Sequence, residues 1–337
     1  SFVKPYIFRQ ELNADDRLQA QHIAETYGQT ADDYFKIYPD KHYYFSTKGT
    51  GFIAYKIASG FAFALGEPVC EATAAAREQI LLDFDAFCYD NGLKSVYYKV
   101  DEAYIPLFQI LKKKTFHIGQ EALVDVQAFT LEGKDKKSLR HSLNNLEKKG
   151  FKTRSYAAPL KDGLLQKLQQ VSDEWLSSMK RKEIVFSSGL FDWEELKMQS
   201  VITIENADEK VVAFLNIIPS YSKDEGSYDL IRKSADAPSG VMDALIIALI
   251  KTLQEEHKQY LNMGMAVMSG LEKPKDLPEW TLKFAYEKLG QFKGHHGLFE
   301  FKDKYNPIWK SKYLIYDNHY DLVSIPAALT KIFKSES

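Results

Sequence analysis

The sequence predicts an α/β protein with mixed sheets, in which one α+β unit is present as a tandem duplication. The first observation is the order of patterns: each half runs from a helix through paired strands to a helix, a strand and a further helix. The second is size, because 337 residues, 45% of them hydrophobic, suffice for two medium cores. The third is a lysine-rich segment, residues 133–154, between a first unit at 1–132 and a second at 155–337.

The first half opens with a predicted helix and continues into strands that glycines interrupt. Aromatic residues alternate with polar ones in these strands, which is typical of antiparallel hairpins. The following helix is expected to end at Asn91 and Gly92, because both residues favour helix termination. In order, the segments are the helix ADDRLQAQHIAETYG, the hairpins HYYFSTKGTGFIAYKIASGFAFALGEPV, the helix EATAAAREQILLDFDAFCYDNG, the strand KSVYYKV, the helix AYIPLFQILKKKT and the strand EALVDVQAF.

The second half repeats this order of patterns. Helical periodicity alternates with short runs rich in β-branched residues. In order, the segments are the helix LLQKLQQVSDEWLSSM, the strands SVITIENADEKVVAFLNIIPS and GSYDLIRK, the helix GVMDALIIALIKTLQEEHK, the strand YLNMGM and the helix EWTLKFAYEKLG. The last segment, DLVSIPAALTKIFKSES, predicts an amphipathic helix from Pro326 that lies either on a membrane surface or on the protein body.

Charge and cysteine content exclude several classes of protein. The formal net charge is -2, so any nucleic-acid or membrane contact must come from a local patch. Cys70 and Cys88 lack metal-type spacing, and the adjacent His295 and His296 lack further ligands, so neither a metal site nor a disulfide framework is predicted. The longest apolar run, ALIIALI, is far shorter than the ~20 residues that cross a bilayer, and we expect a reducing compartment.

The segment between the halves carries a local excess of positive charge. From Lys134 to Arg154 it has six lysines and two arginines against Asp135 and Glu147. A solvated helix face is one interpretation. The other is a polyanion contact, with either a tRNA backbone or anionic lipid headgroups, and the asparagines beside Arg140 favour it.

A strand in the second half places an acid and a base close together. In SYDLIRK, Asp229 and Arg232 are three residues apart and would point to opposite faces of a regular strand. A β-bulge would bring both into one cleft. There Asp229 can hold an ammonium or accept a proton, and Arg232 can bind a phosphate or polarise an ester. The competing interpretation is an edge-strand ion pair that contributes only ~0–1 kcal/mol.

Small residues dominate the segment YLNMGMAVMSGL. Gly264, Ser269 and Gly270 would let a ligand lie against the main chain, and Asn262 could supply an amide to a carbonyl oxygen. Close packing of a helix over a glycine-containing strand explains Gly264 equally well.

Lysines and aromatics alternate in FEFKDKYNPIWKSKYL. Lys302, Lys304 and Tyr305 suit a partner with phosphate and apolar surfaces, such as a phospholipid head or the end of a tRNA. Alternatively, the aromatics belong to a last core strand that lysine stems cover.

The order of elements in each half resembles the GCN5-related acetyltransferase fold. In that class, strands four and five splay apart and the acyl donor lies in the opening. A glycine-rich turn before the following helix holds the donor's pyrophosphate on free backbone N–H groups. SADAPSGVMDAL has one glycine and CEATAA has none, so acetyl-CoA is a poor donor and no cofactor is expected.

An ordered set of segments resembles the C-terminal catalytic domain of the bacterial multiple peptide resistance factor, the phosphatidylglycerol lysyltransferase family. The set covers most of the chain: GEPV, GQEALVDVQAFTLEGKDKKSLRHSLNNLEKKGF, FSSGLFD, AFLNIIPS, SYDLIRK, GVMD, NMGMAVMSGL and FKDKYNPIWKSKYL. Glu67 stands where aspartate is usual, and Val267 where proline is usual. Neither departure removes a plausible catalytic group.

The resemblance implies transfer of an aminoacyl group, lysyl first and alanyl second, from aminoacyl-tRNA to a hydroxyl of phosphatidylglycerol. It also implies an upstream transmembrane region, a position at the cytoplasmic face of the membrane and resistance to cationic antimicrobial peptides. The expected catalytic residues are Asp229, Arg232 and Asn262; the substrate-binding residues are Gly264, Met265, Ser269, Gly270, Lys302, Lys304 and Tyr305; the tRNA-binding residues are Arg140, Asn144, Lys148 and Lys149. An aminoacyl-tRNA-dependent transferase acting on a peptide or peptidoglycan precursor, and a non-catalytic module that binds anionic membranes, are the alternatives.

Overall fold

The computed structural model describes residues 12–179, 183–267, 269–270 and 295–334. The helix predicted over EWTLKFAYEKLG lies outside the described residues, as do the side chains of Met179, His295 and His296. Among the residues that are described, no helix is long and apolar enough to cross a membrane.

The first half follows the predicted order. Its one substantial difference is the helix over AYIPLFQILKKKT, which ends at Ile110 because Lys112 adopts a left-handed φ of 58° and a long strand begins at Lys114. The elements are α1 Ala14–Tyr27, α2 Asp33–Lys36, β1 His42–Phe45, β2 Gly51–Ala58, β3 Phe61–Leu65, β4 Val69–Cys70, α3 Ala74–Asp90, β5 Lys94–Asp101, a 3-10 turn Glu102–Tyr104, α4 Ile105–Ile110 and β6 Lys114–Asp125.

The second half also matches the predicted order over the described residues. The segment FEFKDKYNPIWKSKYL, expected as a strand in the bland interpretation, contains the end of a helix followed by a strand. The elements are α5 Lys137–Lys148, β7 Lys152–Tyr156, α6 Asp162–Met179, α7 Trp193–Lys197, β8 Ser200–Glu205, β9 Val211–Ile217, β10 Glu225–Lys233, α8 Val241–Glu255, β11 Tyr260–Val267, α9 His295–Asp303, β12 Ile308–Tyr316, a 3-10 turn His319–Val323 and α10 Ile325–Ile332.

Side-chain caps explain where several helices begin. Asn13 Oδ1 accepts the Asp15 N–H at 2.9 Å, Thr73 Oγ1 accepts the Ala76 N–H at 3.2 Å, and Asp192 Oδ1 accepts the Glu195 N–H at 3.0 Å. Each cap satisfies a backbone donor that has no partner within its own helix, which stabilises the helix start by ~1 kcal/mol.

All of these strands join one sheet of 12 strands. The order is β1-β2-β3-β5-β12-β6-β11-β10-β9-β8-β7, and β4 pairs with β2. The last strand, β12, therefore lies between β5 and β6 of the first half. The predicted division of the chain at 133–154 remains a prediction, but the C-terminal segment supplies a strand to the N-terminal part of the sheet.

Helices cover both faces of the sheet around several apolar clusters. α8 is buried through Leu245, Ile246, Leu249 and Ile250, each of which contributes ~1.5–3 kcal/mol when removed from water. α10 also packs on the body of the protein, against strands of the first half, through apolar residues such as Leu329. Of the two interpretations for this helix, packing on the protein body is therefore correct.

Candidate functional site

The two parallel strands β10 and β11 separate after a short paired stretch. They pair only from Glu225 with Tyr260 to Ser227 with Asn262. Beyond that point β10 has a bulge relative to β9, and β11 has a bulge relative to β6. A bulge bends a strand and increases its twist. The predicted splay between the fourth and fifth strands of an acetyltransferase-like unit, and the predicted bulge in SYDLIRK, are thus both confirmed.

A chain of buried side chains holds the bulge in β10. The Leu230 N–H, which the bulge frees from the strand ladder, donates to Asn216 Oδ1 at 2.6 Å. The Asn216 amide donates to Gln199 Oε1 at 2.6 Å, and the Gln199 amide donates to the Tyr34 hydroxyl at 2.6 Å. Buried polar groups are costly when unpaired. This series of hydrogen bonds therefore fixes the bulge, and it connects β10 through β9 to α2.

Asp229 lies in this bulge. Its carboxylate is half-buried, and few contacts stabilise its negative charge. Both of its oxygens lie 3.0 Å from the Gly189 N. A side chain at position 189 would collide with this carboxylate and with the Tyr38 ring, so the close approach requires glycine. Burial raises the pKa of Asp229 to about 6, against the Gly189 hydrogen bond and the positive charge of Arg232. Such a carboxylate favours a cationic ligand.

Arg232 is buried and holds the same loop as Asp229. Its Nη2 lies 2.5 Å from Glu183 Oε1, and its Nη1 donates to the Ser172 hydroxyl. Glu183 also accepts the Phe191 N–H at 2.9 Å. Both predicted residues therefore contact the segment 183–191, Asp229 through Gly189 and Arg232 through Glu183. Arg232 forms its ion pair with Glu183 rather than with Asp229, so the ion pair that the competing interpretation predicted is not the one observed.

Asn262 supports the bulge in β11. Its side chain is buried, and its Oδ1 accepts the Gly264 N–H at 2.8 Å. Its amide nitrogen lies 3.5 Å from Glu225 Oε2, and that carboxylate also accepts the Ala31 N–H at 3.0 Å. The expectation that the Asn262 amide is available to a substrate carbonyl is therefore not matched in this conformation. Burial raises the pKa of Glu225 to about 7.

The small residues after Asn262 divide into two groups. Gly264 has φ 76°, and the nearest atom to a Cβ placed there is Lys302 Nζ at 3.8 Å, so this position leaves space in the opening. Met265 beside it is half-buried and packs on an apolar cluster. Ser269 donates to the Ala266 carbonyl at 2.7 Å, and a Cβ at Gly270 would meet the Gln120 side chain at 2.5 Å. Ser269 and Gly270 are thus explained by close packing, against expectation.

Two of the residues predicted to meet lipid are inside the protein. Lys302 is only 3% exposed, and Tyr305 is 1% exposed with its hydroxyl donating to Asp243 Oδ1 at 2.9 Å. Neither side chain lies on the outer surface, because α9 turns this face toward the sheet. Lys304 is ion-paired with Asp243 and keeps 35% of its side-chain surface exposed, so it stays a candidate for phosphate contact.

A buried cluster of charges lies beside this site and was not predicted. We call Asp32, Lys99, Glu121 and Lys312 the central charge cluster. Lys99 lies 2.5 Å from Asp32 and 3.1 Å from Glu121, and Lys312 lies 3.0 Å from Glu121. Although burial alone would raise it, the pKa of Glu121 is held well below its usual range by Lys312 and Lys99. Burial raises the pKa of Asp32 to about 6, against Lys99.

One sequence signal could have indicated this cluster. Lys99 ends an otherwise apolar run in KSVYYKV, and Glu121 begins the apolar run EALVDV. A charged residue inside a buried strand needs a partner of opposite charge, because an isolated buried charge is very costly.

A polar cleft adjoins the central charge cluster. The cleft is open to solvent and has a volume of ≈ 310 Å³. Ser187 brings the segment 183–191, which binds Asp229, to its edge. Lys36 on its wall lies 2.8 Å from Asp33 and 3.7 Å from Glu67. The lining residues are Thr30, Asp32, Phe35, Lys36, Leu65, Gly66, Glu67, Lys99, Ser187 and Lys312.

The basic segment forms the amphipathic helix α5, which packs its apolar face on α8. Arg140 Nη1 donates to the carbonyls of Leu131 and Gly133, so this side chain holds the preceding loop. The other three predicted tRNA contacts are exposed: Asn144, Lys148 and Lys149. Their role stays a prediction.

Comparisons with known proteins agree with this architecture. The family model described as "Phosphatidylglycerol lysyltransferase, C-terminal" matches residues 22–316. A phosphatidylglycerol lysyltransferase of Bacillus subtilis (strain 168) is 33% identical over 289 residues, which are 84% of this chain and 33% of that protein. The chain thus spans about a third of the length of the curated relatives that it matches.

Two solved structures are similar over nearly the whole chain. The structure of L-PGS from Bacillus licheniformis has a TM-score of 0.86 and 28% identity, covering 97% of this chain and 98% of that one. The C-terminal domain of a putative lysylphosphatidylglycerol synthetase from Agrobacterium fabrum has a TM-score of 0.84 and 30% identity, covering 96% and 98%.

Proposed function

Because the chain belongs to the phosphatidylglycerol lysyltransferase C-terminal family, as its ordered motifs predict, we propose that it transfers an aminoacyl group from aminoacyl-tRNA to a hydroxyl of phosphatidylglycerol. Lysyl is the first choice of aminoacyl group and alanyl the second. One observation carries the proposal: β10 and β11 separate beside an undercompensated carboxylate, Asp229, and a fixed guanidinium, Arg232.

The transfer places three chemical demands on the site. The α-ammonium of the aminoacyl group must be held, the ester carbonyl needs room beside the main chain, and the attacking hydroxyl must lose a proton. We assign the ammonium to Asp229, because a cation there restores the stabilisation that burial removes from the carboxylate. Gly264 provides the room, since it presents no side chain in the opening.

Arg232 acts in this proposal as a positioning charge. Its guanidinium is occupied by Glu183 and Ser172, so it fixes the segment 183–191 that carries the Gly189 N–H. Its positive charge also favours the ionised form of Asp229. Asn262 takes a similar supporting part through its hydrogen bond to the Gly264 N–H.

The macromolecular contacts are assigned to two exposed surfaces. Asn144, Lys148 and Lys149 on and beside α5 would contact the tRNA backbone, whose phosphates attract a basic helix face. Lys304 would meet the lipid phosphate. An upstream transmembrane region of the longer protein would hold the site at the cytoplasmic face of the membrane.

The product would change the charge of the membrane. Phosphatidylglycerol carries one negative charge, and a lysyl ester adds two ammonium groups, so the modified lipid is cationic; an alanyl ester would make it neutral. Either change weakens the attraction of cationic antimicrobial peptides for the surface.

The test offers each charged tRNA in turn to the protein with phosphatidylglycerol vesicles, followed by mass analysis of the lipid fraction. We expect aminoacyl-phosphatidylglycerol with lysyl-tRNA. Asp229→Ala and Arg232→Ala should abolish product while the proteins stay folded, and Asp208→Ala, in an exposed turn, should leave it unchanged. Label in a peptide acceptor alone, or vesicle binding without product from any charged tRNA, would contradict the proposal.

A further inference from the structure

The side chain of Lys302 is a buried amine without an acidic partner in contact. It is 3% exposed, and its Nζ donates to the Gly264 carbonyl at 2.8 Å. Within the described part of the chain, no carboxylate lies within ion-pair distance of this amine. By contrast, Lys99 and Lys312, which are also buried, each contact carboxylates. A buried cation without a partner is costly, so Lys302 differs in kind from its neighbours.

The charges around Lys302 add to the effect of burial. Burial is the largest influence, and the ammonium of Lys99 on β5 acts in the same direction. The carboxylates of Glu121 on β6 and Asp32 before α2 act in the opposite direction and have smaller effects. Together they lower the pKa of Lys302 to about 7, so that a large fraction of the amine is unprotonated near neutral pH. Lysines activated in this way serve as bases and nucleophiles.

The position of this amine matches the opening in the sheet. Gly264, whose carbonyl it contacts, is the second residue of β11 after the last pair with β10. Asp229 is the second residue of β10 after the same pair. The amine is thus held on β11, and the carboxylate is carried by β10, at the same offset from the last pair of the two strands, and Gly264 places no side chain in the opening.

We propose that Lys302 is the proton acceptor for the lipid hydroxyl that attacks the aminoacyl ester. The inference rests on the proposed function and names the base that this reaction needs. With the aminoacyl ammonium at Asp229, the ester carbonyl lies over the β11 bulge, within reach of an acceptor hydroxyl beside the amine. The Gly264 carbonyl accepts one amine hydrogen and leaves the lone pair for the incoming proton.

Lys302 both accepts and returns the one proton that moves during the transfer. The lipid hydroxyl oxygen forms a bond to the carbonyl carbon as its proton moves to the neutral Nζ, giving an ammonium. The bond between the carbonyl carbon and the ribose oxygen then breaks, and the ammonium returns the proton to that oxygen. The products are the aminoacyl lipid and a free tRNA terminal hydroxyl, with Lys302 neutral again.

Other groups near the opening serve this role less well. Asp229 is engaged by the Gly189 N–H and by the substrate ammonium in the proposed complex. The Arg232 guanidinium is held by Glu183 and Ser172 and offers only hydrogen-bond donors. Glu225 lies at the paired end of the strands, where the Ala31 N–H and the Asn262 amide occupy it.

Two substitutions separate a base from a merely cationic or structural lysine. Lys302→Arg keeps a positive donor for the Gly264 carbonyl but cannot lose its proton, and Lys302→Met keeps the volume without the amine. Both should lower kcat for lipid aminoacylation by about 10²- to 10⁴-fold, the usual contribution of general base catalysis. If Lys302 only stabilised an oxyanion or bound phosphate, the arginine variant would retain most of the activity.

Stability provides the matched control. Lys302→Met removes an unpartnered buried cation, so its Tm should equal or exceed that of the parent. Lys113→Met is the comparison. Lys113 is also buried but lies 2.6 Å from Asp85 and 2.8 Å from Asp317, so its loss should lower Tm and leave kcat unchanged.

The decisive readout is the pH profile combined with rescue by an added amine. The parent kcat should rise with pH through about 7, where the amine loses its proton, and this limb should be absent in Lys302→Met. Adding methylamine or ethylamine to Lys302→Ala should restore product in proportion to the unprotonated amine. Rescue that follows the ammonium form, or an active Lys302→Arg, would overturn the inference. Absence of product from the parent protein would instead refute the proposed function.

Discussion

The parallel strand pairs β3–β5 and β10–β11 occupy corresponding places in the two halves, and they differ in how far they stay together. β3 and β5 pair from Phe61 with Lys94 to Leu65 with Tyr98, and the Gly66 N–H extends the contact to the Tyr98 carbonyl at 2.7 Å. β10 and β11 separate after three pairs, where both strands carry bulges. A short paired stretch thus leaves a longer opening in the second half.

The charged residues where β3 leaves β5 and where β10 leaves β11 differ in whether they have partners of opposite charge. In the first half, Lys36 and Lys99 lie beside Gly66, and both have carboxylate partners. Among the described residues of the second half, the hydrogen-bond partner of Asp229 is the Gly189 N–H, and that of the Lys302 amine is the Gly264 carbonyl. Ion pairs that satisfy one another make a structural junction, whereas undercompensated groups are available to a substrate. The fold is duplicated, and we propose that the chemistry is concentrated in the second copy.

The largest expected effect on activity comes from neutralising one carboxylate in each half and comparing kcat/KM. Asp229→Asn removes the charge that we assign to the aminoacyl ammonium and should lower kcat/KM by about 10²- to 10³-fold. Glu67→Gln, on the wall of the polar cleft beside the central charge cluster, should change kcat/KM by no more than a few-fold. Initial rates of lipid aminoacylation with lysyl-tRNA measure both. Equal losses would place the first half in the reaction.

Glycines with left-handed backbone conformations offer a second comparison. Gly264→Ala and Gly60→Ala place a side chain at φ 76° and φ 81°, so each should cost ~1 kcal/mol of stability. Only the first also fills the opening, and its activity should fall by about 10- to 100-fold because the ester is displaced. Thermal unfolding and kcat, measured on both variants, decide the matter. A fully active Gly264→Ala would show that the opening is not used.

The basic surface gives a smaller effect. Lys148→Glu with Lys149→Glu should raise the KM for charged tRNA several-fold and reduce the salt dependence of that KM by about two units of slope. Lys48→Glu, an exposed lysine of the first half, is the control and should change neither. Measurements at several salt concentrations test this. An unchanged KM would return α5 to the interpretation of a solvated helix face.

The smallest effect concerns stability and pH. Burial raises the pKa of Asp229 from 3.8 to about 6, so its ionised form destabilises the folded protein. That penalty is complete above about pH 6 and fades as the pH falls toward 4, where the carboxyl is protonated in both states. Asp229→Asn should therefore raise Tm by about 2 to 4 °C at pH 8 and by less at pH 4. A lower Tm at pH 8 would mean that the carboxylate is structural.

Local patterns in the sequence predicted much of the second half. SYDLIRK contains an acid and a base at a spacing that needs a bulge to be useful, and the bulge is present between Tyr228 and Ile231. The bulge depends on neighbours in the chain, which is why the sequence could indicate it. The splay of β10 and β11 was instead implied by the resemblance to the acetyltransferase fold.

Features that depend on distant pairing were not predictable. β12 enters the sheet between β5 and β6, about 200 residues away in sequence, and no local pattern encodes that choice. The same insertion brings Lys312 to Glu121 and turns Lys302 inward, so lysines that looked exposed are buried. Ser269 and Gly270 were expected to bind substrate. Their packing against Gln120 could not be predicted, because Gln120 belongs to another strand.

The central claim is that the opening between β10 and β11, rather than the polar cleft beside Glu67, receives the aminoacyl end of the donor. A crystal structure with a non-hydrolysable amide analogue of lysyl-adenosine tests it most directly. The account predicts the analogue between these strands, with its α-ammonium at Asp229 and its amide carbonyl over Gly264. An analogue lying instead beside Glu67 and Lys36, with the opening closed by side chains, would contradict it.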